Sequence, residues 1–238
     1  SEEISSGQAP LIDQDYISAV RLTLTDAGLD PAFVTLACQL PSEQFLAEQV
    51  EAADPTSIHL AREALRSAVA RNLRDDLLAI YDGNRSNAPF SPDSDSAGRR
   101  ALKNLALSYL STLDDDRCQA LAGNQFRDAD NMTDRMAALW ALNDKEGGER
   151  EAALATFHDQ FKDDAVVIDK WLSLQAASSR PDTLEQVVAL MDHSVFSITQ
   201  PNKVRALISA FCGANPYRFH TPDGSGYRFL ADKVLQLD

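Results

Sequence analysis

The sequence predicts an all-α fold, antiparallel helical hairpins in an irregular HEAT-like superhelix. Three observations carry this expectation. Apolar residues recur with a helical period almost throughout the 238 residues. Prolines fall at helix starts: Asp30-Pro31, Asp54-Pro55 and Asn215-Pro216 each set a capping side chain ahead of a proline. Proline is tolerated at the first helical position because that N–H has no partner. No strand pair is found, and the β-leaning stretch Val195-Phe196-Ser197-Ile198 has no strand to join. Short connections imply antiparallel neighbours, and the lack of a fixed repeat period makes any repeats degenerate.

Taken in order, helices are expected over residues 13–27, 31–39 and 42–52, then over residues 56–82. That fourth segment is the best defined. Ile58, Leu65, Val69, Leu73, Leu77 and Ile80 form one stripe, and Arg62, Glu63, Arg66, Arg71, Arg74 and Asp75 occupy much of the rest. The polar stretch at residues 82–93 reads as an internal excursion rather than a linker, because both flanks are amphipathic and need partners. Further helices are expected over 94–112, 114–122, 124–129, 132–143, 148–162, 165–178, 183–192, 201–212 and 225–237. Asp182 with Glu185 suggests a capping box, Gln200 a poorer cap before Pro201, and Ser225 a cap for the last helix.

Composition excludes several function classes. With 22 Lys+Arg against 36 Asp+Glu the net charge is −14, which repels nucleic acid unless a basic patch is hidden. The nearest cluster, Arg99, Arg100 and Lys103, reads as a solvated helix face. Cys38, Cys118 and Cys212 form no Cys-x-x-Cys, and so sparse a set fits buried thiols in a reducing, cytoplasmic setting. No apolar run is long enough to span a bilayer, so neither nucleic acid nor membrane is expected as a partner. The polar start at Ser1, without an initiator methionine, suggests a processed chain or an excised piece of a longer one.

No catalytic constellation emerges. His59, His158, His193 and His220 include no helical zinc pair, and His59 with Glu63 reads as an i,i+4 ion pair. No nucleophile elbow or phosphate loop is present. Asp114-Asp115-Asp116 suits a helix N-terminus. The stretch Asp130-Asn131-Met132-Thr133-Asp134 looks like a site at first, but Asn131 or Thr133 can simply cap the next helix. Phe157, Phe161, Trp171 and Trp140 read as core aromatics.

An ordered set of short motifs adds to this reading. Phe126-Arg127-Asp128-Ala129-Asp130-Asn131-Met132-Thr133-Asp134-Arg135 is followed by Ala137-Ala138-Leu139, by Asp169-Lys170-Trp171 and by Gln175-Ala176. Pro201-Asn202-Lys203-Val204-Arg205-Ala206-Leu207-Ile208-Ser209-Ala210-Phe211 comes next, then Asn215-Pro216, Phe219-His220 and Asp223-Gly224-Ser225-Gly226-Tyr227. Upstream lie Asp30-Pro31-Ala32-Phe33, Leu40-Pro41-Ser42-Glu43 and Arg62-Glu63-Ala64-Leu65. Together these resemble the C-terminal helical domain of bacterial aminopeptidase N, a zinc metallopeptidase family of the gluzincin type.

The resemblance implies that residues 1–238 are a single α-helical domain, part of the C-terminal domain of a larger aminopeptidase and continued by further helices. Zinc belongs to the parent's catalytic domain, and no cofactor is expected in this chain. The implied partners are that catalytic domain, over which the helical domain closes, and peptide substrates entering the enclosed cavity. Arg205 matches a cavity-facing arginine of the family, whose fork of donors suits peptide carbonyls or a terminal carboxylate. A structural salt bridge is the alternative for Arg205. Lys203, where the family usually has arginine, and Asn202 are further cavity candidates. The rival functions are a free-standing α-superhelical scaffold for protein interaction and an enzyme with an unfamiliar all-α site.

Overall fold

The structure is a computed structural model that describes Ile4, residues 10–86 and residues 88–237, the last by its backbone. The described residues form helices and turns, with no strand among them. The chain divides into two compact units, Ser1–Leu142 and Asn143–Asp238.

The first unit contains α1 (Gln14–Thr25), α2 (Pro31–Cys38), α3 (Glu43–Glu48), α4 (Pro55–Asn72), α5 (Arg74–Gly83), α6 (Ser94–Leu110), α7 (Asp116–Asp128) and α8 (Met132–Leu142). Its helices start where capping side chains stand. Asp30 accepts from the Ala32 and Phe33 amides, Ser42 from Phe45, Asp54 from Thr56 and Asp93 from Ser96. Each such bond satisfies one of the unpaired amides of a first turn and stabilises by about 1 kcal/mol. Helix α6 is the hub, packed against α2, α4, α5, α7 and α8. Its Leu107, Tyr109 and Leu110 are buried, as are Val69, Leu73 and Leu77 opposite. Each fully buried side chain of this kind stabilises by roughly 1.5–3 kcal/mol. The Tyr109 hydroxyl donates to the Cys38 carbonyl at 2.6 Å, which satisfies an orphan acceptor at the end of α2.

Several expectations change here. The long helix at residues 56–82 is two helices, broken at Leu73 (φ −115°, ψ 20°). Asn72 donates its side-chain amide to the Ala68 carbonyl at 2.8 Å, a local bond that competes with helical continuation. Asp75 and Asp76 then favour a new N-terminus. The apolar stripe survives the break: Ile58, Val69, Leu73 and Leu77 are buried, and Leu65 and Ile80 half-buried. Conversely, the helices expected at 114–122 and 124–129 are one, α7, because Gly123 is buried within it and packing overrides its low propensity. Its cap is Asp115, which accepts from the Cys118 amide at 3.0 Å. Trp140 is 48% exposed and not a core residue. The excursion at residues 82–93 lies inside the first unit.

The second unit holds α9 (Gly148–Phe161), α10 (Ala165–Ala176), α11 (Thr183–Met191), α12 (Pro201–Val204), a π turn (Arg205–Ser209), α13 (Ala210–Ala214), α14 (Pro216–Phe219) and α15 (Ser225–Leu237). Helix α10 is its hub, touching α9, α11, α12, the π turn and α13. Phe157, Ile168, Leu172, Leu174, Leu207 and Phe211 are buried in its core. Buried polar groups tie the elements: Trp171 Nε1 donates to the Leu154 carbonyl at 3.0 Å, and Asn143 Nδ2 to that of Leu174 at 2.6 Å. Asn215 caps α14 through the Arg218 amide and also donates to the Ala176 and Ser178 carbonyls.

Here too the local signals mislead in places. Asp182 makes no capping bond and pairs instead with Arg180 at 3.0 Å. Ser225 is the first residue of α15. Asp223 takes the Ser225 amide at 3.0 Å, with Gly224 between them at φ +70°, a left-handed value that favours glycine. Cys212 is half-buried, whereas Cys38 and Cys118 are fully buried.

Candidate functional site

Arg205, Asn202 and Lys203 occupy the α12–π segment of the second unit. Gln200 offers no side-chain cap, so Pro201, which needs no amide partner, opens α12. Lys203 is drawn inward: its side chain is 8% exposed, and Nζ donates to Asp169 Oδ1 at 2.6 Å and to the Ala165 carbonyl at 3.1 Å. Its charge is therefore committed to α10. A buried ammonium must be paired in this way to offset its lost hydration.

Asn202 and Arg205 are exposed and adjacent. Arg205 donates from one terminal nitrogen to Asn202 Oδ1 at 3.4 Å, a long bond, and forms no salt bridge among the described residues. Its guanidinium thus keeps most of its donors for other acceptors. The π turn follows directly. Ala206, Leu207 and Ile208 face the core, while Ser209 is exposed. Ser173 Oγ of α10 lies 2.9 Å from the Ala206 carbonyl, which supports the widened turn. π turns interrupt α-helices and are frequent at functional sites.

A second polar assembly lies in the first unit, around the stretch expected only to cap a helix. Asn131 does cap α8, accepting from the Asp134 amide at 2.9 Å. Asp134, however, is 6% exposed and meets Lys103 Nζ at 2.7 Å. Lys103 is buried, so it leaves the solvated face on which Arg99 and Arg100 were expected to join it. Asn104 and Asn131 also donate to the Asp134 carboxylate, at 2.9 and 3.0 Å. Beside this network opens a cleft of about 470 Å³. The available signal was a lysine flanked by Leu102, Leu105 and Ala106 on an apolar helix face.

The four histidines do not gather at one site, although His158 and His193 meet. His59 Nδ1 lies 2.7 Å from Glu43 Oε1, and Glu63 takes Arg66 at 3.0 Å and Arg62 at 3.3 Å, so the expected i,i+4 pair gives way to a contact between α3 and α4. His158 and His193 meet edge to face with centroids 5.0 Å apart, and both rings contact Trp171. Burial, then the neighbouring His158, holds the His193 imidazole below its ordinary value.

The profile of the family described as "Domain of unknown function (DUF3458_C) ARM repeats" matches residues 2–238. The chain belongs to this family. Among curated proteins it is similar to aminopeptidase N of Caulobacter vibrioides, 42% identical over 228 residues, covering 95% of this chain and 26% of that protein. Aminopeptidase N of Escherichia coli is 36% identical over 98% of this chain and 27% of its own length. Among solved structures, Legionella pneumophila aminopeptidase A, in complex with aspartic acid, superposes with a TM-score of 0.87 at 28% identity, covering 99% of this chain and 29% of that one.

This DUF3458_C chain thus spans about a quarter of the length of the curated relatives it matches. The resemblance read from the ordered motifs, to the C-terminal helical part of aminopeptidase N, is borne out. So is the all-α class, since ARM repeats belong with HEAT repeats among α-superhelical folds. The zinc implied by the motif resemblance needs three or more convergent side chains. Among the described residues no group of three or more His, Cys, Asp or Glu could hold a metal ion. The described residues do not fit a zinc centre.

Proposed function

We propose that this chain is the helical domain of a zinc aminopeptidase, closing over the catalytic domain of the same polypeptide and shaping the cavity through which peptides enter. The parent would remove N-terminal residues from peptides in the cytoplasm, with its zinc held outside this chain. The observation that carries the reading is the near-complete alignment of this chain with about a quarter of two aminopeptidases N. Exposed apolar side chains support it: Leu22, Phe33, Leu36 and Phe45 of α1–α3 are 52–74% exposed, as expected of a face that packs on another part of a larger chain.

Within this reading Arg205 faces the cavity, with Asn202 steadying it and Lys203 fixing α12 to α10 from below the surface. An arginine without a carboxylate partner offers its fork to peptide carbonyls or a C-terminal carboxylate. Closure contributes by excluding water and bulky folded proteins.

The test uses the full-length parent. Arg205→Ala should reduce kcat/KM for peptides by about 10–150-fold, the loss of one charge-assisted hydrogen bond of roughly 1.5–3 kcal/mol. Under this reading small chromogenic amides, too short to extend along the cavity, should be affected far less. Equal losses on both substrates would remove Arg205 from peptide binding. Peptidase turnover with stoichiometric zinc in the 238-residue chain alone would overturn the wider reading.

A further inference from the structure

We propose that the cleft of the first unit binds a small zwitterion, an α-amino acid with an apolar side chain, its carboxylate on Arg85 and its ammonium between Asp128 and the Gln125 amide oxygen. The cleft encloses about 470 Å³, within the size range of small-molecule sites. Its residues all belong to the first unit, so the proposal stands apart from Arg205 and from the aminopeptidase reading.

Gln125 is the deepest clue. It is 6% exposed and lines the cleft. Its Nε2 donates to Asn104 Oδ1 at 2.8 Å and to the Asp134 carbonyl at 2.9 Å, which fixes the orientation of the amide. The opposite atom, Oε1, is buried and accepts no hydrogen bond. A buried acceptor in that state costs about 1–3 kcal/mol, which a ligand donor would offset.

The charges supply the second clue. Arg85 and Asp128 both line the cleft. Neither side chain forms a hydrogen bond or an ion pair among the described residues, with each other or elsewhere. Asp128 ends α7, where the helix dipole disfavours a carboxylate, so a cation there gains twice. Both side chains are exposed, so the pair selects by charge pattern: a neutral ligand gains from neither and a singly charged one from one of them only. A zwitterion answers both. Tyr81, 4% exposed, also lines the cleft, and burial pushes its phenol up to about 12, so it remains a neutral donor at physiological pH. Leu121 and Ala129 supply apolar wall for a ligand side chain.

The experiment titrates the isotopically labelled 238-residue chain with L-leucine, L-leucinamide and N-acetyl-L-leucine, following the side-chain amide resonances of Gln125 by NMR. Leucine should give a saturable shift. Leucinamide, without a carboxylate, and N-acetyl-leucine, without an ammonium, should each bind at least about tenfold more weakly. Arg85→Gln and Asp128→Asn should each weaken leucine binding by about tenfold with unchanged helical circular dichroism, since both side chains are exposed. Absence of a saturable shift, equal binding of leucinamide, or unchanged affinity in both variants would overturn the proposal.

Discussion

At the scale of single residues, the charged groups of this chain divide into those that hold the fold and those left available. Lys203 and Lys103 belong to the first kind, each buried against a carboxylate from another helix. Removing one partner of such a pair leaves the other charge uncompensated, which costs about 3–5 kcal/mol. Lys103→Met should therefore lower the urea unfolding free energy by that amount. Adding Asp134→Asn, which keeps the acceptor and removes the orphan charge, should recover part of the loss. A double variant no more stable than Lys103→Met would show that the carboxylate charge is not the cause. Sequence gave little warning of these pairs. The helix caps Asp30, Asp54 and Asn215 were legible because a cap and its amide lie two or three residues apart. Lys103 and Asp134 are 31 residues apart, and no local rule links them.

At the scale of elements, close approach decides more than propensity does. A side chain at Gly226 would place its Cβ 2.2 Å from the Phe219 carbonyl oxygen, a backbone atom that cannot step aside. Gly226→Ala should accordingly destabilise the second unit by about 1–3 kcal/mol, seen as a lowered Tm. Gly213, in α13, has nothing within 4 Å of the same position, so Gly213→Ala should instead stabilise by about 0.5–1 kcal/mol. If both substitutions lowered Tm alike, crowding between α14 and α15 would not be the explanation. Element boundaries show where periodicity is sufficient and where it fails. The stripe from Ile58 to Ile80 predicted the buried face correctly across a break it could not reveal, since Leu73 remains in phase on both sides. The 201–212 segment was read as plain helix because a π turn leaves no compositional mark.

At the scale of the whole molecule, the two units should respond differently to acid. His193 and His158 lie in the second unit. Burial and then His158 lower the His193 value below 6.5 in the folded state. The unfolded chain therefore takes up the proton first as pH falls. The stability difference is fully present above about 6.5 and is lost as pH drops through the lower folded value. Hydrogen exchange, corrected for intrinsic rates, should show protection falling in residues 143–238 between neutral pH and pH 5, and His193→Asn should remove much of that fall. An unchanged acid response in His193→Asn would assign the effect to other groups. The all-α class was readable from the sequence because it rests on a signal summed over the whole chain. The cleft was not, because it gathers Tyr81, Arg85, Gln125 and Asp128 from segments whose local patterns give each an ordinary role.

The π turn at Arg205–Ser209 has a consequence for how such chains diverge. A π turn carries one residue more than an α-helical turn would, so a change of one codon in chain length can be taken up there. Length change is absorbed inside one widened loop of backbone, and α13–α15 keep their register against α10. A relative one codon shorter at this point would close the turn to ordinary helix and swing the residue at position 205 by about 100° around the axis. The direction in which that arginine points is thus tunable by insertion or deletion, without substituting any residue that touches it.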